Sequence, residues 1–87
     1  MREDVYPEDL EIGQAYIERN PYHHEYEYGT VYYAGETYNK YGEIVYLFSE
    51  RELPDDYDGI PDNHVNIGGP LYTYDDIVNG CICEIGD

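Results

Sequence analysis

The densest group of potential metal ligands is the acidic segment PDDYDGIPDNHV at positions 54–65, in which Asp56, Asp58 and Asp62, three of its four aspartates, surround Gly59. With Gly59 at the sixth position of a calcium-binding loop, these aspartates fall at the third, fifth and ninth positions. The first and twelfth positions are then Pro54 and Val65, where the motif requires an acidic ligand and a bidentate glutamate. The segment therefore predicts a solvated acidic loop, and we expect no metal and no cofactor.

Two cysteines near the end of the chain form a second candidate metal site. Cys81 and Cys83 would share one face of a strand, and His23, His24 or His64 would have to complete a zinc site. There is no second cysteine pair, and the Cys-x-Cys spacing is not that of a zinc knuckle. Buried apolar thiols are the better interpretation, and the lack of a disulfide framework or a signal peptide predicts a reduced, cytoplasmic protein.

Neighbouring carboxylates such as Glu25 with Glu27, or Asp75 with Asp76, have the chemistry for acid–base catalysis. In a chain with 20 acidic residues, such pairs arise by chance. No catalytic triad, nucleophile signature or glycine-rich phosphate loop accompanies them. We therefore expect that the protein is not an enzyme.

The charge balance restricts the possible partners. The formal net charge is −16, because only Arg2, Arg19, Lys40 and Arg51 oppose the acids. A phosphate backbone or an anionic membrane would be repelled by this surface, since both are bound through Lys and Arg. The field of such a protein attracts cationic partners.

Short β-rich segments separated by Gly, Pro and Asn predict a mainly β fold for one domain, 1–87, with residues 1–9 as a candidate flexible segment. We expect a small antiparallel rolled sheet or an SH3-like barrel with at most one short helix, and a small α+β arrangement is the alternative. The predicted strands are 11–20, 26–35, 43–50, 64–69 and 81–86, and a short helical turn is predicted within 70–80. The strand at 43–50 is apolar on both faces, which predicts that it is covered on two sides.

Tyrosine and glutamate alternate in HHEYEYGTVYYAGETY, residues 23–38. Same-face residues of a strand lie about 6.6 Å apart, so carboxylates at this spacing form a dense negative surface. Each could accept a bidentate arginine, as a phosphate does, and tyrosine rings can stack on the guanidinium. We expect Val31 and Ala34 to face the core, with Tyr32 as a further candidate, and Tyr33 to face outward.

In size, acidity and aromatic content the chain resembles the small acidic nucleic-acid-mimic inhibitors of phages and mobile elements, of the anti-CRISPR and anti-restriction type. The resemblance is to a functional class, and it implies an inhibitor of a basic nucleic-acid-binding protein, such as a nuclease effector, in a bacterial host cell. It implies no direct contact with nucleic acid or membrane. The predicted partner-binding residues are Glu25, Glu27, Tyr28, Tyr33, Glu36, Tyr38, Asp55, Asp56, Tyr57, Asp58, Asp62, Asp75 and Asp76.

A protein–protein interaction module with a tyrosine-rich binding face is the alternative function. In that case Tyr32, Tyr33 or Tyr46 would carry the binding energy, and the charges would mainly change the association rate.

Overall fold

A computed structural model describes residues 4–63 and 67–85 of the chain, and these residues form one antiparallel sheet with a short helix. The strands are β1 (Ala15–Arg19), β2 (Glu27–Tyr38), β3 (Ile44–Ser49), β4 (Leu71–Tyr72) and β5 (Ile82–Glu84). The helix α1 spans Tyr74–Val78, and 3₁₀ turns lie at Pro7–Asp9 and Pro61–Asn63. The strand order is β4-β3-β2-β1-β5.

The predicted mainly β fold with one short helix is confirmed. The strands predicted at 11–20, 26–35, 43–50 and 81–86 correspond to β1, β2, β3 and β5, and the helical turn in 70–80 is α1. That segment also contains β4, which was not predicted. Of the strand predicted at 64–69, residues 64–66 lie outside the described residues, and 67–69 form no strand.

The sheet is rolled. On β4, the Tyr72 hydroxyl donates a hydrogen bond to the Glu18 carboxylate on β1, three strands away. In a flat sheet these strands would be about 14 Å apart. The two side chains meet because the sheet curls around its inner face, and α1 connects the two edge strands.

Aromatic rings fill the inner face of the roll. Phe48 is completely buried, and its ring centroid lies 5.4 Å from that of Tyr33, 6.0 Å from Tyr72 and 6.4 Å from Tyr16. Ile77 of α1 packs on the same cluster. Tyrosine thus supplies apolar area where a larger protein would use aliphatic side chains, and its hydroxyl still reaches a polar partner at the edge of the core.

Strand β3 is buried on both faces, as predicted from its sequence. Val45 and Leu47 lie on the face opposite Tyr46 and Phe48, and all four are buried. The outer face is covered because the chain returns across it after β3, in the segment that contains the predicted acidic loop.

The helix α1 has only five residues, too few to be stable alone, and it is fixed by a capping box. The Thr73 side chain accepts a hydrogen bond from the Asp76 backbone N–H, and the Asp76 carboxylate accepts one from the Thr73 N–H. In the described part of the chain, no helix has the length and apolar character needed to cross a membrane.

Candidate functional site

A β-bulge in β2 lies where the acidic loop, which we define as residues 50–63, packs against the strand. Tyr33 pairs with Phe48 of β3 and Gly35 pairs with Leu47, so Ala34 is the extra residue. Gly35 has a φ of +121°, and a Cβ there would lie 2.9 Å from the Gly59 carbonyl oxygen. Because Gly35 has no Cβ, the Gly59 carbonyl of the acidic loop can approach β2 this closely.

Two side-chain hydrogen bonds fasten the acidic loop to β2. The Tyr57 hydroxyl donates to the Ala34 carbonyl at the bulge. The Thr37 hydroxyl donates to the Asp62 carboxylate over 2.9 Å. Within the loop, the Asp58 carboxylate accepts a bond from the Ile60 N–H over 2.9 Å. These contacts hold Asp58 and Asp62 in defined positions beside the strand.

The acidic loop and the end of β2 bring several predicted site residues together. Asp55, Asp56, Asp58 and Asp62 are exposed, and Tyr38 at the end of β2 is 66% exposed. Tyr57 is half-buried, since its hydroxyl fastens the loop.

A second group lies at the opposite end of β2, around the connection from β1. Glu25, Glu27 and Tyr28 are all exposed there. Tyr28 is the extra residue of a second irregularity, because Glu18 of β1 pairs with Gly29 and Arg19 pairs with Glu27. The acidic loop contacts β2 between Ala34 and Thr37, so along the strand it lies roughly 23–33 Å from Glu27. The predicted residues therefore lie in separate acidic regions of the molecule.

Tyr33 is a correction to the predicted site. It is only 5% exposed and packs against Phe48 and Tyr46, and burial, with Glu36 nearby, raises its pKa well above the ordinary value. Alternation along β2 turns Tyr33 inward with Val31, whereas Tyr32 is half-buried. Tyr46 is buried as well, so two of the three tyrosines proposed for an aromatic binding face are core residues.

The two aspartates of α1 differ in their roles. Asp75 is exposed, but Asp76 is half-buried and occupied in the capping box. Asp75 thus remains a surface candidate, while Asp76 has a structural role.

The predicted site residue Glu36 lies in an acidic patch with Glu8, which sequence reasoning missed, and with the rings of Tyr46 and Tyr74. Glu8 and Glu36 are exposed, and both raise the pKa of Tyr46 after the larger effect of burial. A hydrogen bond with Glu8 raises the pKa of the Tyr74 hydroxyl. Glu8 lies in the segment that the sequence leaves as a candidate for flexibility, and no local pattern could place it beside β2.

Of the three cations in the described part of the chain, the fold turns Arg19 inward. Arg19 is buried, its Nε donates to the Gly80 carbonyl over 2.7 Å, and its guanidinium pairs with Asp4. The guanidinium of Arg19 therefore contributes little to the exposed charge. At the β2–β3 turn, the Lys40 ammonium lies 5.2 Å from the centre of the Tyr41 ring.

Cys81 and Cys83 are buried thiols outside any disulfide, as predicted. Burial, with Asp76 and Glu18 nearby, raises the pKa of Cys81 to about 11, so its thiol stays protonated and unreactive near neutral pH. Among residues 4–63 and 67–85, no group of three His, Cys, Asp or Glu side chains has the arrangement of a metal site. His64 and Val65 lie outside the described residues.

Comparisons with protein-family models, with curated proteins and with solved structures gave no match.

Proposed function

We propose that this protein is an inhibitor that mimics nucleic acid and occupies the basic nucleic-acid-binding surface of a DNA- or RNA-processing defence enzyme. Its site of action would be the cytoplasm of a bacterial host cell. The observation that carries the proposal is the large excess of carboxylates on a small sheet that buries Arg19.

The charge excess cannot be neutralised within the chain. If each of the four Lys and Arg residues paired with one acid, sixteen carboxylates would still lack such a partner. Repulsion among them opposes folding. A cationic surface that binds them relieves this repulsion and gains charge-assisted hydrogen bonds.

Two acids of the acidic loop are also held in defined positions. Asp58 and Asp62 are held by hydrogen bonds, and the acidic loop is seated on the bulge at Gly35. Along β2 the two acidic regions are roughly 23–33 Å apart, which is less than one turn of duplex DNA, about 34–36 Å. A groove that accommodates a turn of duplex could therefore contact both regions at once.

Exposed tyrosines lie among these acids. Tyr26, Tyr28 and Tyr38 are each at least 60% exposed. Tyr26 and Tyr28 are next to Glu27 in the sequence, and Tyr38 lies two residues after Glu36. A tyrosine ring adds apolar contact area with little loss of conformational entropy, and it can stack on an arginine.

The experiment is capture of proteins from a bacterial lysate by the immobilised chain, with salt and duplex DNA or RNA as competitors. The captured protein should itself bind nucleic acid, and the purified chain should inhibit that binding. Reversing Glu25, Asp55 and Asp56 to Lys should weaken the complex by at least about tenfold. Capture that is indifferent to both salt and nucleic acid would contradict the proposal.

The tyrosine-rich interaction module remains the second candidate, because Tyr22 is 88% and Tyr41 74% exposed. Replacement of exposed tyrosines by Ala, at Tyr26, Tyr28 and Tyr38, is the matched variant. If these changes abolish capture while the charge reversals alter only the association rate, the module is the correct function.

A further inference from the structure

An open cleft lies between the acidic loop and the segment that precedes β1. Its volume is about 290 Å³. The side chains that matter for its chemistry are those of Ile12, Tyr32, Glu52, Leu53, Pro54 and Tyr57. The cleft thus combines two aromatic rings, three aliphatic side chains and one carboxylate, and none of these six lining residues is basic.

The size of the cleft suits one side chain better than a whole small molecule. Pockets for drug-sized ligands begin at about 300 Å³ and enclose most of the ligand, whereas this cleft is open to solvent. Ile12 is about half-exposed and Glu52 is exposed, so the entrance is accessible from outside.

The lining distinguishes between possible occupants. An anion would meet Glu52 and the field of a chain whose net charge is −16. A purely apolar group would cover the Glu52 carboxylate without offering it a hydrogen bond, which is unfavourable. A cation on an alkyl stem satisfies both parts of the lining, because the stem packs on the aliphatic wall and the charge meets Glu52.

Among cations, the guanidinium of arginine fits this lining best. It is planar, stacks on tyrosine rings and donates two parallel hydrogen bonds to a carboxylate. The lysine ammonium is compact and strongly hydrated, and it gains less from two aromatic walls.

We propose that the cleft binds a single arginine side chain of the partner, with its guanidinium stacked against Tyr32 or Tyr57 and paired with Glu52. The identity of the donor rests on the proposed function, since it assumes a basic partner. Recognition of the guanidinium is a property of this chain alone and is measured without the partner.

The experiment is an NMR titration of the full chain with N-acetyl-arginine-N-methylamide, and the lysine analogue is the control at equal ionic strength. The arginine probe should shift the amide signals of Gly13, Leu53 and Tyr57 with a millimolar dissociation constant, and the lysine probe should bind at least about threefold more weakly. Glu52→Gln should weaken arginine binding about three- to tenfold. Glu50→Gln removes the same charge from an exposed neighbour outside the cleft, and should change the binding less than twofold.

Equal weakening by the two variants would overturn the proposal, because it would indicate diffuse attraction to an acidic surface. Absence of shifts at the cleft, or equal binding of the lysine probe, would also overturn it. If the arginine probe binds specifically but nucleic acid does not compete with the captured partners, the first result supports the cleft and the second contradicts the mimic function. The two proposals can therefore fail separately.

Discussion

Arg19 is a cation that the fold buries although the surface is strongly acidic. Its guanidinium joins the Gly80 carbonyl, just before β5, to Asp4 near the start of the described chain. We predict that Arg19→Lys lowers the free energy of unfolding by about 1–3 kcal/mol, because one ammonium cannot reproduce the forked contact. The measurement is urea denaturation followed by circular dichroism.

Arg51 provides the matched control for this substitution, since it is exposed. Arg51→Lys should change the free energy of unfolding by no more than about 0.5 kcal/mol. If both substitutions have the same small effect, the buried contact of Arg19 does not stabilise the fold.

The sequence predicts which segments become strands better than it predicts which side of each strand is buried. Tyrosine, valine and isoleucine favour a pleated surface, and the turn between β2 and β3 follows from its Asn and Gly, since the Gly42 N–H bonds back to the Asn39 carbonyl. The expected outward orientation of Tyr33 was wrong although Tyr33 alternates regularly with Val31, because adjacent tyrosines give no signal about which faces inward. The bulge at Ala34 could not be predicted either, since it depends on a contact with Gly59, 24 or more residues further along the chain.

The junction of β2 with the acidic loop can be tested through the glycine at the bulge. Gly35→Ala should destabilise the fold by about 2–4 kcal/mol, because it combines a strained positive φ with a 2.9 Å approach to the Gly59 carbonyl. It should also weaken partner capture, since the loop that carries Asp55 and Asp56 must move. Thermal and urea denaturation measure the first effect, and the capture assay measures the second.

Gly42→Ala is the control that measures the cost of a positive φ without a close contact. Gly42 also has a positive φ, of +78°, but no atom lies within 4 Å of an added Cβ. It should cost only about 1–2 kcal/mol and leave capture unchanged. If the two variants lose the same stability, the contact between the acidic loop and β2 is not tight.

In the molecule as a whole, fold stability and partner affinity should respond to salt in opposite directions, because salt screens both the repulsion among carboxylates and their attraction to a cationic partner. The molecule measures 35 × 30 × 20 Å. At about 0.01 M salt, the Debye length is about 30 Å, so most of its charges repel one another, and at about 1 M it falls to about 3 Å, below the spacing of same-face residues on a strand. We predict that the melting temperature rises by about 5 °C or more between about 0.01 M and 0.5 M NaCl, while partner affinity falls over the same range.

A variant with fewer acids distinguishes screening from a general effect of salt on hydration. Glu50→Gln, Asp55→Asn and Asp56→Asn change exposed residues of the acidic loop and remove three negative charges. In this variant the melting temperature should be higher at low salt and should rise less as salt is added, because less repulsion is left to screen. If the melting temperature rises equally steeply with salt in both chains, the effect is one of hydration. A melting temperature that falls with salt would contradict repulsion as the main electrostatic force in the fold. At low salt this variant should be more stable than the original chain. If it binds the partner more weakly there, the loss of affinity is not a consequence of unfolding, and these carboxylates contribute to binding directly.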